Sequence, residues 1–502
     1  MNETITVKGF RQQRKNGSNM KLTSLPIRVL SALLDRKEIL PSSLTEECLE
    51  QIRLSDPGLG AFLTVTEKEA LSAAAEADRR CIAGVRFSPL DGIPYALKDN
   101  LATDKIRTTA GSRMLAEFVP CTDAEVVKRL KNAGAVLLGK CNMDEFGMGN
   151  STRYSAFRAT RNPIDPAFVP GGSSGGCATA VGAGMAVFSI GSDTGGSVRQ
   201  PAAFCGITGF KPTYGVIPRD GLIAFASSLD TVGILARTPE DCLSVLRVIA
   251  GPDACDMTSR PYLFESGEEL KLPRIALLSA EEEESDTDAV RQMTASAVRL
   301  LQDAGYPVRK TAFPNLRAAL SAYYIISSAE ASSNLARYDG IRFGVRALGC
   351  HGIDALYDRS RAEGFGDEVK RRILLGTHVL SEGSRKSFYQ SACATRETLR
   401  TAFSHIFETA ELILCPTVPC TAFRMEESLS PAEAYQSDCH TVPASLCGLP
   451  AISIPCGIGP DGMPLALQLI AKEGSDAALC RYAANVLRLL TEMSRSRKDC
   501  GE

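Results

Sequence analysis

The chain has 502 residues, of which 44% are hydrophobic and 23% charged. These globular proportions exclude collagen-like, low-complexity and wholly disordered classes. With 56 basic against 58 acidic side chains, the protein has no strong field for gripping a polyanion, so direct nucleic-acid binding is not expected.

Residues 1–20 carry basic side chains but no apolar core, which excludes a secretory signal. They read as a disordered leader, with a mitochondrial presequence or initiation at Met20 as alternatives. Apolar residues recur at helical spacing from Leu22 to Leu54 and again over Ala70 to Arg79. From residue 88 to 240 the texture changes to glycines, small residues and short apolar runs. Asp123 opens a helix ending near Gly134; Val136 to Leu138 and Val187 to Ile190 read as buried strands, and Cys177 to Val187 as a helix. The apolar stretch Ala178 to Ile190 is broken by Gly182 and Gly184 and is shorter than the ~20 residues a bilayer requires.

A strand at Ile275 to Leu278 precedes an acidic block, Glu281 to Glu284, read as a solvated helix entrance. Helices are predicted near 288–304, 315–336, 367–380 and 385–408. Strands at Leu412 to Cys415, Ala451 to Pro455 and Leu465 to Ile470 and a terminal helix close the chain. The pattern is that of an α/β protein. No linker splits residues 60–490, so residues 21–495 are expected to form one large domain, with 496–502 a flexible tail.

The 17 cysteines are odd in number and scattered, with no C-x-x-C pair and no clustered histidine. They point to reduced thiols in a cytoplasmic protein and to no metal site. Gly134 to Cys141 nearly spells a phosphate loop. Its interior is an apolar strand, however, and Cys141 replaces the metal-binding hydroxyl, so it reads as a helix stop followed by a core strand.

Three other motifs carry chemistry. Gly171-Gly172-Ser173-Ser174-Gly175-Gly176 follows Pro163, Pro166 and Pro170, which exclude the strand of a nucleophile elbow. A glycine turn entering a helix remains; alone, it fits a flexible loop as well as a site. Asp193-Thr194-Gly195-Gly196-Ser197 directly follows a strand, and its glycines let the backbone expose a hydroxyl beside neighbouring N–H groups. Lys98 ends the apolar run Pro94 to Leu97. A nucleophilic serine needs a base, yet the four histidines all lie beyond residue 350. A buried neutral lysine can serve instead; lowering its pKa from near 10.4 to about 7 costs roughly 4–5 kcal/mol, within the reach of burial.

In this order and spacing, Lys98, Gly-Gly-Ser173-Ser174-Gly-Gly and Asp-Thr-Gly-Gly-Ser197 resemble the amidase signature family. That resemblance implies a large mixed central β-sheet covered by helices on both faces. It also implies a Ser-cisSer-Lys triad of Ser197 as nucleophile, Ser173 as bridge and Lys98 as base, with Thr194, Gly195 and Gly196 in the oxyanion hole. Cys177 departs from the serine often found there. Stretches such as MDEFGMGNSTRYSAF (143–157) and GFGDEVKRRILLGTHVLS (364–381) are similar to the glutaminase branch serving tRNA-dependent amidotransferases, over about residues 24–490.

The branch implies a glutamine pocket of Tyr323, Arg372 and Asp438. The charges fit independently, since a zwitterion wants a cation for its carboxylate and an anion for its ammonium. It further implies a heterotrimer in which this chain has no cofactor. Partner subunits B and C would complete the complex, with ATP, Mg²⁺ and misacylated tRNA at a partner converting Glu-tRNA(Gln), or Asp-tRNA(Asn). A stand-alone amidase acting on small amides and a non-catalytic scaffold are the alternatives.

Overall fold

The computed structural model describes residues 21–264, 271–278, 286–312 and 316–499, with side chains to residue 492. The predicted leader and the acidic block Glu281 to Glu284 lie outside the described residues, as do 500–502 of the predicted tail; the closing helix is Asp476–Asp499.

Eleven strands form one sheet: β1 Phe62–Val65, β2 Pro94–Lys98, β3 Val136–Cys141, β4 Phe188–Asp193, β5 Thr208–Lys211, β6 Thr231–Ala236, β7 Ile275–Leu278, β8 Val308–Thr311, β9 Leu412–Pro416, β10 Ala451–Ile458 and β11 Pro464–Ala471. Their order is β1-β3-β2-β4-β6-β5-β10-β11-β9-β7-β8. The sheet is mixed. β2 runs parallel to β3 and β4, and β7 to β8 and β9. The pairings through β1, β5, β6, β10 and β11 are antiparallel.

Strand alternation distributes the core over both faces. Tyr95 and Leu97 of β2 pack with Leu30, Val127, Leu246 and Leu479, each from a different helix. Ala96, one residue out of phase, joins Val136 and Leu138 under Leu49, Ala74 and Val181. Lys98 shares the phase of Ala96, and so emerges toward the helix Gly175–Gly182. As expected of the phosphate-loop look-alike, Gly134 takes a left-handed φ of 82° and leads into β3, whose residues are all buried.

The predicted boundaries move where glycine or short strands intervene. The helix expected over Cys177 to Val187 is Gly175–Gly182, because Gly184 (φ 73°) turns the chain early. The opening helical stretch divides into Ile27–Asp35 and Pro41–Leu59, and the stretch near 385 begins with a π-helical turn, Lys386–Gln390, before the helix Ser391–Ile406. No disulfide joins the described cysteines, most of which are buried. Among the described residues, no helix is long and apolar enough to cross a membrane.

Candidate active site

The parallel strands β2 and β4 end side by side, the usual place for a site in such a sheet. Lys98 closes β2 and is fully buried. Its Nζ lies 2.8 Å from Ser173 Oγ, 2.8 Å from Ser174 Oγ, 3.0 Å from Ser192 Oγ and 3.2 Å from the Ser192 carbonyl. These neighbours are all neutral oxygens. Burial lowers the amine to about 8, partly opposed at longer range by Asp144, Asp193 and Asp230.

Ser173 is reached through a cis Gly172–Ser173 peptide. Gln200 Oε1 accepts the Gly172 N–H at 2.9 Å, and the Asp144 N–H donates to the Ser173 carbonyl at 3.2 Å. The first amides of the following helix are taken by the protein itself: Ser174 N–H donates to the Ser197 carbonyl at 3.1 Å and Gly175 N–H to Thr152 Oγ1 at 3.1 Å. This helix start is therefore a brace between the two serine turns.

The turn Asp193 to Ser197 is fixed at each residue. Asp193, fully buried, accepts from Arg199 Nε at 3.0 Å and Nη2 at 2.9 Å; burial alone would raise its carboxyl, but the guanidinium holds it below the usual value. Thr194 Oγ1 donates to Asp230 at 2.7 Å, and Thr441 Oγ1 donates to the Gly195 carbonyl at 2.6 Å. Two glycines are required here. A Cβ on Gly195 would lie 2.4 Å from the Tyr323 ring, and one on Gly196 (φ 142°) 2.2 Å from Thr441 Oγ1.

Gly195 and Ser197 open into a cavity whose lining includes Tyr323, Arg372 and Asp438. The expected pocket residues thus meet at the expected nucleophile, although they come from the helices Leu316–Leu335 and Asp367–Leu380 and a later loop. Arg372 is buried, its Nε bonded to Glu368 Oε1 at 2.7 Å. Its Cζ sits 4.5 and 4.7 Å from the ring centroids of Tyr324 and Tyr435. Nη1 of the same group is buried with no hydrogen-bond partner among the described residues. Asp438 accepts the Tyr324 hydroxyl at 2.6 Å, and burial pushes its carboxyl up to about 7.

Sequence reasoning missed Ser174, Ser192, Asp230, Arg199, Glu368, Tyr324, Tyr435 and Thr441. Arg199 and Ser192 flank the Asp193 turn, and Ser174 sits inside the Ser173 motif, so these three were within reach; the others are single polar residues in helices or loops, with no local signal. Among the described residues, no group of histidine, cysteine, aspartate or glutamate could hold a metal.

The Amidase family model matches residues 43–480. The A subunit of glutamyl-tRNA(Gln) amidotransferase from Heliobacterium modesticaldum is 46% identical over 92% of this chain and 96% of its own length. The protein of the same name from Moorella thermoacetica is 46% identical over 96% and 100%. Among solved structures, its namesake from Thermotoga maritima superposes with a TM-score of 0.74 at 35% identity, covering 96% of this chain and 94% of the other. The peptide amidase of Stenotrophomonas maltophilia gives 0.75 at 28%, covering 92% and 96%. A match this long, at this identity and on a shared mixed sheet, makes the chain a member of the amidase family of enzymes.

Proposed function

We infer that this chain is the glutamine-hydrolysing subunit of a tRNA-dependent amidotransferase. The observation that carries the substrate is the unpartnered, buried Arg372 Nη1 in a cavity that also holds Asp438 and Ser197. A buried donor left without an acceptor is costly, and a ligand carboxylate removes that cost. Glutamine offers the carboxylate to Arg372, its ammonium to Asp438 and its side-chain amide to Ser197.

In the reaction, Ser197 Oγ attacks the amide carbon while its proton passes to Ser173 Oγ, which hands its own to neutral Lys98 Nζ. The N–H groups of the Thr194 to Ser197 turn receive the charge that develops on the carbonyl oxygen. Lys98 then returns the proton through Ser173 to the departing nitrogen, releasing ammonia and leaving a γ-glutamyl ester on Ser197. Water attacks that ester by the same relay, giving glutamate and free Ser197. The ammonia goes to a partner in a heterotrimer with subunits B and C. The partner uses ATP and Mg²⁺ to convert Glu-tRNA(Gln), or Asp-tRNA(Asn), to the amidated form. Relatives of that name at 46% identity support the reading, and the near-neutral charge agrees with tRNA being held elsewhere. As an enzyme of translation, the complex is assigned to the cytoplasm.

Coexpression with its genomic neighbours is the test. The purified complex is expected to amidate Glu-tRNA(Gln) with glutamine as the nitrogen donor. A chain that purifies alone and hydrolyses simple amides as well as glutamine is instead a stand-alone amidase.

The pH profile follows from two groups. Lys98 must be neutral, and burial places it at about 8; Asp438 must be charged, and burial places it at about 7. Both requirements favour higher pH, so kcat/KM for glutamine is expected to climb through these values and level off above them. A flat profile from about pH 6 to about pH 9 contradicts the assignment of Lys98 as base.

A further inference from the structure

Beyond the relay and the cavity, the turn Asp144–Gly147 after β3 joins parts of the molecule far apart in sequence. Asp144 accepts the N–H groups of Ser151, Thr152 and Tyr154 at 3.2, 2.9 and 3.1 Å, besides anchoring Ser173 through its own N–H. Gly147 lines the cavity. Phe146, in a left-handed conformation (φ 50°), packs against Tyr338 and Phe365 at 5.1 and 5.7 Å between centroids.

Glu145 faces away from the relay. It is 3% exposed and accepts from Ser112 Oγ at 2.5 Å and from the backbone N–H of Gly366 at 2.8 Å. Gly366 is the cap of the helix Asp367–Leu380, which carries Glu368 and Arg372. Burial pushes the Glu145 carboxyl up to about 7, opposed by the Ser112 and Gly366 hydrogen bonds; an oxygen at that end satisfies an amide the helix cannot satisfy itself. The fit is tight: a Cβ on Gly366 would lie 2.4 Å from Glu145 Oε2.

We propose that Glu145 is a positioning residue for substrate recognition. By clamping the first turn of this helix to the residue beside the Ser173 anchor, it fixes the distance between the Arg372 guanidinium and Ser197. A ligand held by its carboxylate then presents its amide at the nucleophile. The proposal rests on the glutamine reading above.

The test uses the full-length chain with the subunits that accompany it, and follows ammonia release from glutamine and from butyramide. Butyramide has the same reacting amide and no α-carboxylate. Glu145→Ala and Gly366→Ala, which release the clamp from its two sides, are each expected to raise the glutamine KM about tenfold with kcat within about twofold. Butyramide kcat/KM stays unchanged. The two substitutions combined do little more than either alone, because they remove one shared contact. Glu145→Gln keeps an acceptor oxygen for the Gly366 N–H and restores most of the affinity. An unchanged glutamine KM in both alanine variants overturns the proposal, as does an equal loss toward both amides, the mark of a merely structural residue. A wild-type protein that cleaves butyramide but not glutamine refutes the glutamine reading together with this proposal, whereas a failure confined to the variants refutes the proposal alone.

Discussion

Ser197→Ala is expected to reduce glutamine hydrolysis by at least about four orders of magnitude, the scale seen when an activated serine nucleophile is removed. The contact Ser197 makes with the neighbouring turn is through its backbone carbonyl, which accepts the Ser174 N–H at 3.1 Å and survives the substitution. The variant is therefore expected to keep the wild-type thermal unfolding midpoint. Lys98→Met supplies the companion measurement, since it fills a similar volume without a base. Its activity should fall comparably, because among the described residues every polar contact of Nζ is to serine oxygens and no other base touches Ser173. Glutamine hydrolysis at the wild-type rate by Ser197→Ala would remove the serine from its role.

Substitution of the charged pocket residues has the next largest effect. Truncating one member of a buried, hydrogen-bonded charge pair costs about 2–5 kcal/mol, so Arg372→Ala should lower kcat/KM for glutamine by about 30-fold to about 5000-fold. Arg372→Lys should recover little. An ammonium cannot occupy the Glu368 bond, the Tyr324 and Tyr435 faces and the substrate carboxylate together as the planar guanidinium does. Asp438→Asn keeps the shape of the side chain while deleting its charge. It should weaken glutamine binding over the same range and remove the component of the pH profile near 7. Wild-type use of glutamine by both Arg372→Ala and Asp438→Asn would show that the cavity binds something else.

The residues proposed for the relay were legible because each is marked by its neighbours: glycines flank Ser173 and precede Ser197, and a short apolar strand ends at Lys98. The scarcity of histidine pointed to the lysine as the proposed base. Arg372 and Asp438 were legible only through resemblance, since an arginine within Glu-Val-Lys-Arg-Arg reads locally as a surface charge. Its burial is decided by a helix packed so closely that a Cβ on Gly376 would meet the Ser328 carbonyl at 2.0 Å. Glu145 lay within a stretch that carried the resemblance, but nothing local marked its role, because its partner lies 221 positions away. The strands β5 and β8 escaped notice for a different reason. They are four residues long and include lysine, and pairing with neighbouring strands, more than composition, defines them.

The groups proposed to break the amide bond all fall between Lys98 and Ser197, while those proposed to touch the charged end of the substrate fall between Tyr323 and Asp438, and the two sets meet across a single cavity. Scissors and gauge are thus written in consecutive passages of the chain, tied together by the Glu145 contact to Gly366. Redesign toward another amide can begin by rewriting the second passage and leave the cutting edge intact.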